Sequence, residues 1–500
     1  MKVLNSEKPL LITIDQSTAS TKGFLFDTDG KILGEYSLPH KQYYPKPGWV
    51  EHDPTEIFNN TLKVIEFLAK KAESLSRDII GITITNQRET VVAWDRKTGK
   101  PLYNAIVWQC MRGMEICESL KKRGYEEMVM EKTGLVIDPY FSASKIKWLL
   151  RNLENTGIPT NRVALGTIDS WLIWKLTEGD MHATDFSNAC RTMLFNIKKL
   201  RWDDELLELF DVPESSLPTV LPSNAVFGYT KCSGVLNKEV PISGVMGDSQ
   251  AALFGQGCFE KGMVKATYGT GSSIMMNIGE RFLMPFRGIV TSIGWRINNE
   301  ITYVFEGNVH ATGAAIKWLM DNLGIIEDLS EVENICSSIE DTDGVYFVPA
   351  FSGLGSPYWE NRARGLIYGL TFKSNKAHII RAAVESIAYQ IRDVLEVFKN
   401  LPRVKINELR VDGGGAKNNF LMQFQADILG IRVLRARIED MSAFGSYLMG
   451  GLGFKLWKNR ELLSVINSIP RDIFYPKLPE ARREEKYEVW KRIVRKALPP

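Results

Sequence analysis

Two distant stretches of this 500-residue chain share one plan, and that plan limits the folds open to it. In residues 10–27 an apolar run ends in Asp15, passes through the turn Gln16-Ser17-Thr18-Ala19-Ser20-Thr21 and returns as a second apolar run. In residues 263–278 an apolar run meets Gly269-Thr270-Gly271-Ser272-Ser273 and returns in the same way. The likeness lies in the plan rather than in residue identity, and it suggests an internal duplication. A chain of this length exceeds what one hydrophobic core supports. Two α/β domains are therefore predicted, residues 1–250 and 251–500.

Each turn is rich in hydroxyls and backbone N–H groups, which can cradle a phosphate, and Asp15 at the strand tip can hold a hydrated Mg2+ ion. Ordinary hairpins with Ser/Thr-rich turns remain an equal reading. After a Pro-rich loop, residues 54–72 have helical spacing (Ile57, Leu62, Val64, Ile65, Leu68). A strand over 79–85 then runs into Asn86-Gln87-Arg88-Glu89-Thr90 and re-emerges over 91–94. Such polar residues between apolar strand halves are costly in a core. Arg88 and Glu89 either neutralise buried partners, face a polar ligand or sit on a solvated hairpin bend. A carboxylate beside a guanidinium can both accept from and donate to the hydroxyls of a polyol. Trp108 and Tyr140, in polar loop-like contexts, suit stacking on the carbon face of a sugar or polyol, or the core.

In the second half, residues 376–398 form a long amphipathic helix with Ile380, Ala383, Ile387, Ile391 and Leu395 on one face. A strand over 408–411 enters Asp412-Gly413-Gly414-Gly415 ahead of a helix over 420–429, an arrangement that lets backbone N–H groups approach a phosphate or adenosine. It matches neither the Walker pattern nor GxGxxG. The charged tail, 481–498, places Tyr487, Trp490, Val494 and Ala497 on one face and is predicted to dock as a helix.

Composition excludes several classes. A formal net charge of +3 is far from the basic excess that nucleic acid demands, so no nucleic-acid partner is expected. Six scattered cysteines and five isolated histidines show no metal-ligand spacing, which predicts reduced thiols and no structural zinc. Polar residues interrupt the N-terminal segment, and no apolar run reaches membrane-spanning length. A cytoplasmic protein without membrane insertion is expected.

Between glycine-flanked apolar segments lies Asp248, directly before the helix-like run 249–254. It has the placement of a general base at a helix start, and equally that of a helix N-cap.

Taken together, DQSTASTKGFLFD (15–27), GITITNQRET (81–90), ATDFSNACRTMLFNI (183–197), GDSQAALFGQ (247–256), TYGTG (267–271), VPAFSGLGSPYW (348–359) and ELRVDGGGAKNNFLMQFQADILG (408–430) resemble the FGGY carbohydrate kinases, and among them the glycerol kinases. The resemblance implies two actin-like (ribonuclease H-like) α/β domains with the active site in the cleft between them. It implies ATP and Mg2+ as cofactors and a small polyol or sugar as acceptor. It also implies a homodimer or homotetramer. By motif, Asp248 matches the base that takes the acceptor's proton. Arg88, Glu89, Trp108 and Tyr140 match acceptor-binding positions, and Asp15 the magnesium-associated aspartate. Thr18, Ser20, Lys22 and Thr270 match the phosphate loops, and Gly313, Lys317, Gly414 and Asn418 the nucleotide-binding positions.

Departures from the glycerol-kinase pattern cluster at the acceptor. Ser249 stands where Gln is usual, Ser273 where Phe is usual, and Asn308 and His310 replace small and aromatic residues. Both serines enlarge the pocket and make it more polar, and each unfilled methylene-sized gap costs a short acceptor on the order of 1 kcal/mol. A longer polyol or a ketose is the alternative acceptor. A non-catalytic actin-like sugar sensor is the alternative of another class, opposed by the intact Asp15, Arg88-Glu89 and Asp248 set. On the nucleotide side, Ala19 replaces a hydroxyl residue, Lys22 an arginine and Lys317 a glutamine.

Overall fold

The computed structural model describes residues 8–154 and 157–499. Two large mixed sheets organise the chain, and their topologies match. In the first, Leu10–Gln16, Ser20–Asp27 and Ile32–Pro39 form an antiparallel meander, and Ile79–Asn86 and then Val240–Gly247 add parallel to the open side of Leu10–Gln16. In the second, Val264–Tyr268, Ser272–Gly279 and Glu300–Val309 form the meander, and Glu408–Asp412 and then Arg432–Ala436 add in parallel. The duplicated plan read from two turns thus extends to five strands in each sheet.

The central strands of the first sheet, Leu10–Gln16, Ile79–Asn86 and Val240–Gly247, are almost wholly buried, as covered parallel strands are. Helix Pro54–Ser74 starts at Asp53, whose side chain accepts from the backbone N–H of Thr55, and buries Ile57, Val64, Ile65 and Leu68 on the first sheet. Helix Lys376–Phe398 has the predicted bounds and buries its predicted face on the second. The tail helix, Glu480–Ala497, docks as predicted: Tyr487 and Trp490 are buried and donate to the carboxylate of Asp393 at 2.7 and 2.9 Å.

Two features escape the sequence pattern. The segment 86–90 is no hairpin bend: Ile79–Asn86 belongs to the first sheet and Val91–Asp95 to a separate five-stranded sheet. All of Asn86–Thr90 is buried where the chain changes sheets. Helix Met441–Gly453, late in the chain, packs against the first sheet and against helix Asp248–Gly255. It is tied there by Tyr447, which donates to the Asp27 carbonyl at 2.7 Å, and by Ser446, which donates to the Gly244 carbonyl at 2.7 Å. Among the described residues, no helix is long and apolar enough to cross a membrane.

Candidate active site

Three parallel strands of the first sheet bring the candidate residues to their carboxyl ends, the place where α/β sheets commonly bind ligands. Leu10–Gln16 carries Asp15, Ile79–Asn86 runs into Arg88 and Glu89, and Val240–Gly247 runs into Asp248. Asp248 is not an N-cap. It is the first residue of helix Asp248–Gly255, and Gly247 holds the capping position without a side-chain bond. Its Oδ1 accepts from the Ser249 backbone N–H at 2.7 Å and from Arg88 Nε at 3.1 Å. The Asp248 side chain is 39% exposed, whereas that of Arg88 is 3% exposed, so the carboxylate opens to the cleft from a buried anchor. Gly247 permits this: a Cβ there would lie 2.7 Å from Cγ and Cδ of Arg88.

Beneath Asp248 runs a buried net of charges. Arg88 donates to both oxygens of Glu306, at 3.0 and 2.9 Å, and to Gln250 Oε1 at 3.2 Å. Arg191 reaches Glu89 Oε1 at 2.6 Å, Glu306 Oε2 at 2.9 Å and Ser292 Oγ at 2.7 Å. The two carboxylates end in different states. Burial pushes Glu306 up, but the Arg191 and Arg88 guanidiniums outweigh it and hold the acid at about 2. For Glu89 burial wins over the same two guanidiniums, and its carboxyl is held above the usual range. Its backbone adopts the left-handed region, φ 60°, in a buried setting, a strained geometry of the kind that persists at functional sites. Trp108 and Tyr140 meet edge to face, ring centroids 5.4 Å apart, and the Arg191 guanidinium lies 5.8 Å from the Tyr140 ring centroid.

Glu306, Arg191 and Gln250 were missed as site residues by sequence reasoning. The signal was present: Glu306 follows directly on the apolar run 303–305, and Arg191 lies between Cys190 and the apolar 193–195. A charge inside an apolar strand pattern demands a partner. The partner itself cannot be read, because Arg88 and Glu306 are 218 residues apart.

The first turn is well braced. Ser17 Oγ donates to the Ser20 carbonyl at 3.0 Å, and Thr18 Oγ1 accepts from Trp108 Nε1 at 2.9 Å, which ties the turn to the Trp108–Tyr140 pair. Lys22 Nζ pairs with Asp440 Oδ1 at 2.6 Å, and Ser442 donates to Asp15 Oδ2 at 2.5 Å. Burial raises the Asp15 carboxyl to about 7, with Asp440 adding to the rise.

The second turn, with exposed Gly269 and Thr270, is fastened to helix Gly313–Asp321. Gly313 N–H donates to the Gly269 carbonyl and Ala314 N–H to the Thr270 carbonyl, both at 3.0 Å. Gly414 is exposed beside it, past the end of Glu408–Asp412. Asn418 is the N-cap of helix Asn419–Leu429, accepting from Leu421 N–H at 2.9 Å, so it has a structural duty of its own. Lys317 is exposed, 3.9 Å from Asp321.

Comparison with known proteins decides the family. The profile of the FGGY family of carbohydrate kinases, N-terminal domain, matches residues 10–255, and that of the C-terminal domain matches residues 264–454. This chain belongs to the FGGY family of carbohydrate kinases. With the family come the two-domain actin-like α/β architecture and the reaction class, ATP-dependent phosphoryl transfer to an alcohol group. Among FGGY relatives, glycerol kinase 1 of Thermotoga maritima is 51% identical over 490 residues, covering 98% of this chain and 99% of that protein. Glycerol kinase of Caldanaerobacter subterraneus subsp. tengcongensis is 49% identical over 490 residues, covering 98% of each. Among solved structures, Plasmodium falciparum glycerol kinase with ADP superposes with a TM-score of 0.90 at 36% identity, covering 99% of this chain and 100% of that one. Ligand-bound xylulose kinase from Lactobacillus acidophilus gives a TM-score of 0.86 at 21% identity over 97% of each chain, a likeness of fold.

Proposed function

We propose that this FGGY kinase transfers the γ-phosphoryl group of ATP to a terminal hydroxyl of a small polyol, the class to which the glycerol of its relatives' names belongs. The observation that carries the reading is Asp248: an open carboxylate at a parallel-strand end, fixed by a buried arginine, beside a floor of alternating charges. Phosphoryl transfer asks little covalent chemistry of the protein; it asks for alignment of the oxygens and neutralisation of spreading charge.

Asp248 accepts the proton of the attacking hydroxyl as the new O–P bond forms. Arg88 holds the carboxylate in place, and its tie to Glu306 keeps it from swinging away. Glu89, with its raised carboxyl, orients neighbouring hydroxyls. Tyr140 and Trp108 wall the carbon chain, and Ser249 and Ser273 border it. The Thr18, Ser20, Lys22 and Thr270 turns receive the phosphates, and Gly313, Lys317, Gly414 and Asn418 border the nucleoside.

Mg2+ fits the residues present. Asp15 is a buried oxygen donor with one side-chain bond, from Ser442, and Asp440 lies nearby. Mg2+ is commonly held through one or two carboxylates while keeping water and phosphate oxygens, which Asp15 with Asp440 nearby suits. When bound, the ion would neutralise charge on the transferring phosphate.

The division at residue 250, a cytoplasmic setting and a homodimer or homotetramer belong to the same proposal. All six cysteines are free and buried, as a reducing compartment allows. The test is to incubate the purified protein with ATP, Mg2+ and a polyol, and identify the product by 31P NMR. A primary phosphate ester is expected; ADP and free phosphate without an ester would reject the reading.

A further inference from the structure

The C-terminal side of the cleft carries a row of polar groups that the charge net does not use. Ser273 and Asn308 face each other as direct partners of the antiparallel pair Ser272–Gly279 and Glu300–Val309, so their side chains share one face of the sheet. Asn308 and Glu306 alternate along one strand and share that face too. Their contacts show that it faces the charge net under Asp248: Asn308 Nδ2 donates to Glu306 Oε1 at 3.1 Å, and Glu306 holds Arg88, which holds Asp248.

Asn308 is thus fixed through its amide NH2, while its Oδ1 accepts no hydrogen bond among the described residues. Ser273 Oγ is buried without a hydrogen-bond partner. A buried hydroxyl without a partner is uncommon, since leaving it unmade forfeits water without replacement. Just past the strand end, His310 lies 6.4 Å, ring to ring, from Trp359, and burial lowers its imidazole against the opposing pull of the Asp138 carboxylate. Asp138 caps the segment that presents Tyr140, accepting from the Tyr140 N–H at 2.9 Å. The row therefore runs along the sheet face from Glu306 past Asn308 to His310 at the strand end. From Glu306 to Val309, where the strand ends, it advances about 10 Å, further than a three-carbon chain reaches.

We infer that the acceptor site continues along Ser273, Asn308 and His310, and that the preferred acceptor is an open-chain polyol or ketose of four to six carbons, whose distal hydroxyls bond Ser273 Oγ and Asn308 Oδ1. This rests on the kinase reading, with Asp248 serving the terminal hydroxyl at the near end. The distal hydroxyl donates to Asn308 Oδ1, a fixed acceptor, and exchanges a bond with the Ser273 hydroxyl, which can donate or accept.

The experiment measures kcat/KM by coupled ADP detection for glycerol, erythritol, xylitol, xylulose and fructose, in the native protein, S273A and N308A. At least a tenfold preference for one acceptor of four or more carbons over glycerol is expected. Each variant is expected to lower that ratio fivefold or more, a readout that general loss of folded protein leaves unchanged. Polyols and ketoses form separate arms, so the panel identifies which of the two the site takes. A preference for glycerol would overturn the inference and leave the kinase reading standing. An unchanged ratio in both variants would overturn the assigned residues. Failure of every acceptor, glycerol included, would overturn the kinase reading together with the inference.

Discussion

The two walls of the cleft are built by opposite means. The proposed acceptor wall is made of side chains whose charges are buried and mutually bonded: Arg88, Glu89, Arg191 and Glu306 are each at most 4% exposed. The proposed nucleotide wall is made of exposed backbone turns, Gly269-Thr270 and Gly414, the first fastened from behind by main-chain hydrogen bonds. A small acceptor with hydroxyls in fixed places calls for fixed dipoles, which a bonded charge net supplies. A polyphosphate is met well by bare N–H groups that let it approach closely. Damage to the first wall should therefore spread through the fold, and damage to the second should stay local.

The largest expected effect follows from Glu306→Ala. It leaves Arg88 and Arg191 without their shared carboxylate, and breaking a buried pair costs about 3–5 kcal/mol. A fall in the thermal midpoint, with loss of acceptor binding by calorimetry, is the expected outcome; an unchanged midpoint would mean that the net is not a structural unit.

Next comes pH. His52 is buried under the first turn, 3.4 Å from Gln87 Nε2, and burial lowers its imidazole to about 3. Its folded value lies below the unfolded one, so the unfolded chain binds the extra proton. The contribution is fully present above pH 6.5 and falls by about 1.4 kcal/mol per pH unit as the pH drops from there toward 3. His52→Gln should flatten the midpoint-against-pH curve over that window, and an equally steep curve in the variant would count against this.

Smaller effects probe the nucleotide wall. At Gly313 a Cβ would lie 2.7 Å from the Gly269 carbonyl oxygen, whereas at Gly414 it would meet only Glu439 Oε1, at 3.7 Å. Gly414→Ala should fold normally and raise the KM for ATP roughly tenfold, about 1.4 kcal/mol, with the acceptor KM unchanged. Gly313→Ala should lower the thermal midpoint as well. Lys317→Ala should be the mildest, within about 0.5 kcal/mol of native stability and with a small rise in KM for ATP.

Much of this architecture was legible in the sequence because it is local. The strand–turn–strand plan marked both sheets, the spacing of Ile380 to Leu395 marked the long helix, and Tyr487 and Trp490 marked the docked tail. Asp15, Arg88, Glu89 and Asp248 were visible as polar residues at the ends of apolar runs. What stayed hidden is long-range. Nothing near Lys22 announces Asp440, and nothing near Asp15 announces Ser442, because helix Met441–Gly453 returns to the first sheet from the far end of the chain. The segment 86–90 read as a possible solvated bend because its polarity was visible and its partners, Arg191 and Glu306, were not. Asn418 was visible as a glycine-loop neighbour, but its capping of the next helix emerges only from the backbone.

The central claim is that Asp248 takes the proton while the rest of the site binds and aligns. Asp248→Asn keeps the shape and a bond acceptor for Arg88 and removes the base. The most direct measurement pairs ATP binding by calorimetry with acceptor-dependent ADP release in that variant. The account predicts native ATP affinity with release slowed by about 10²–10⁴-fold; release near the native rate would contradict it.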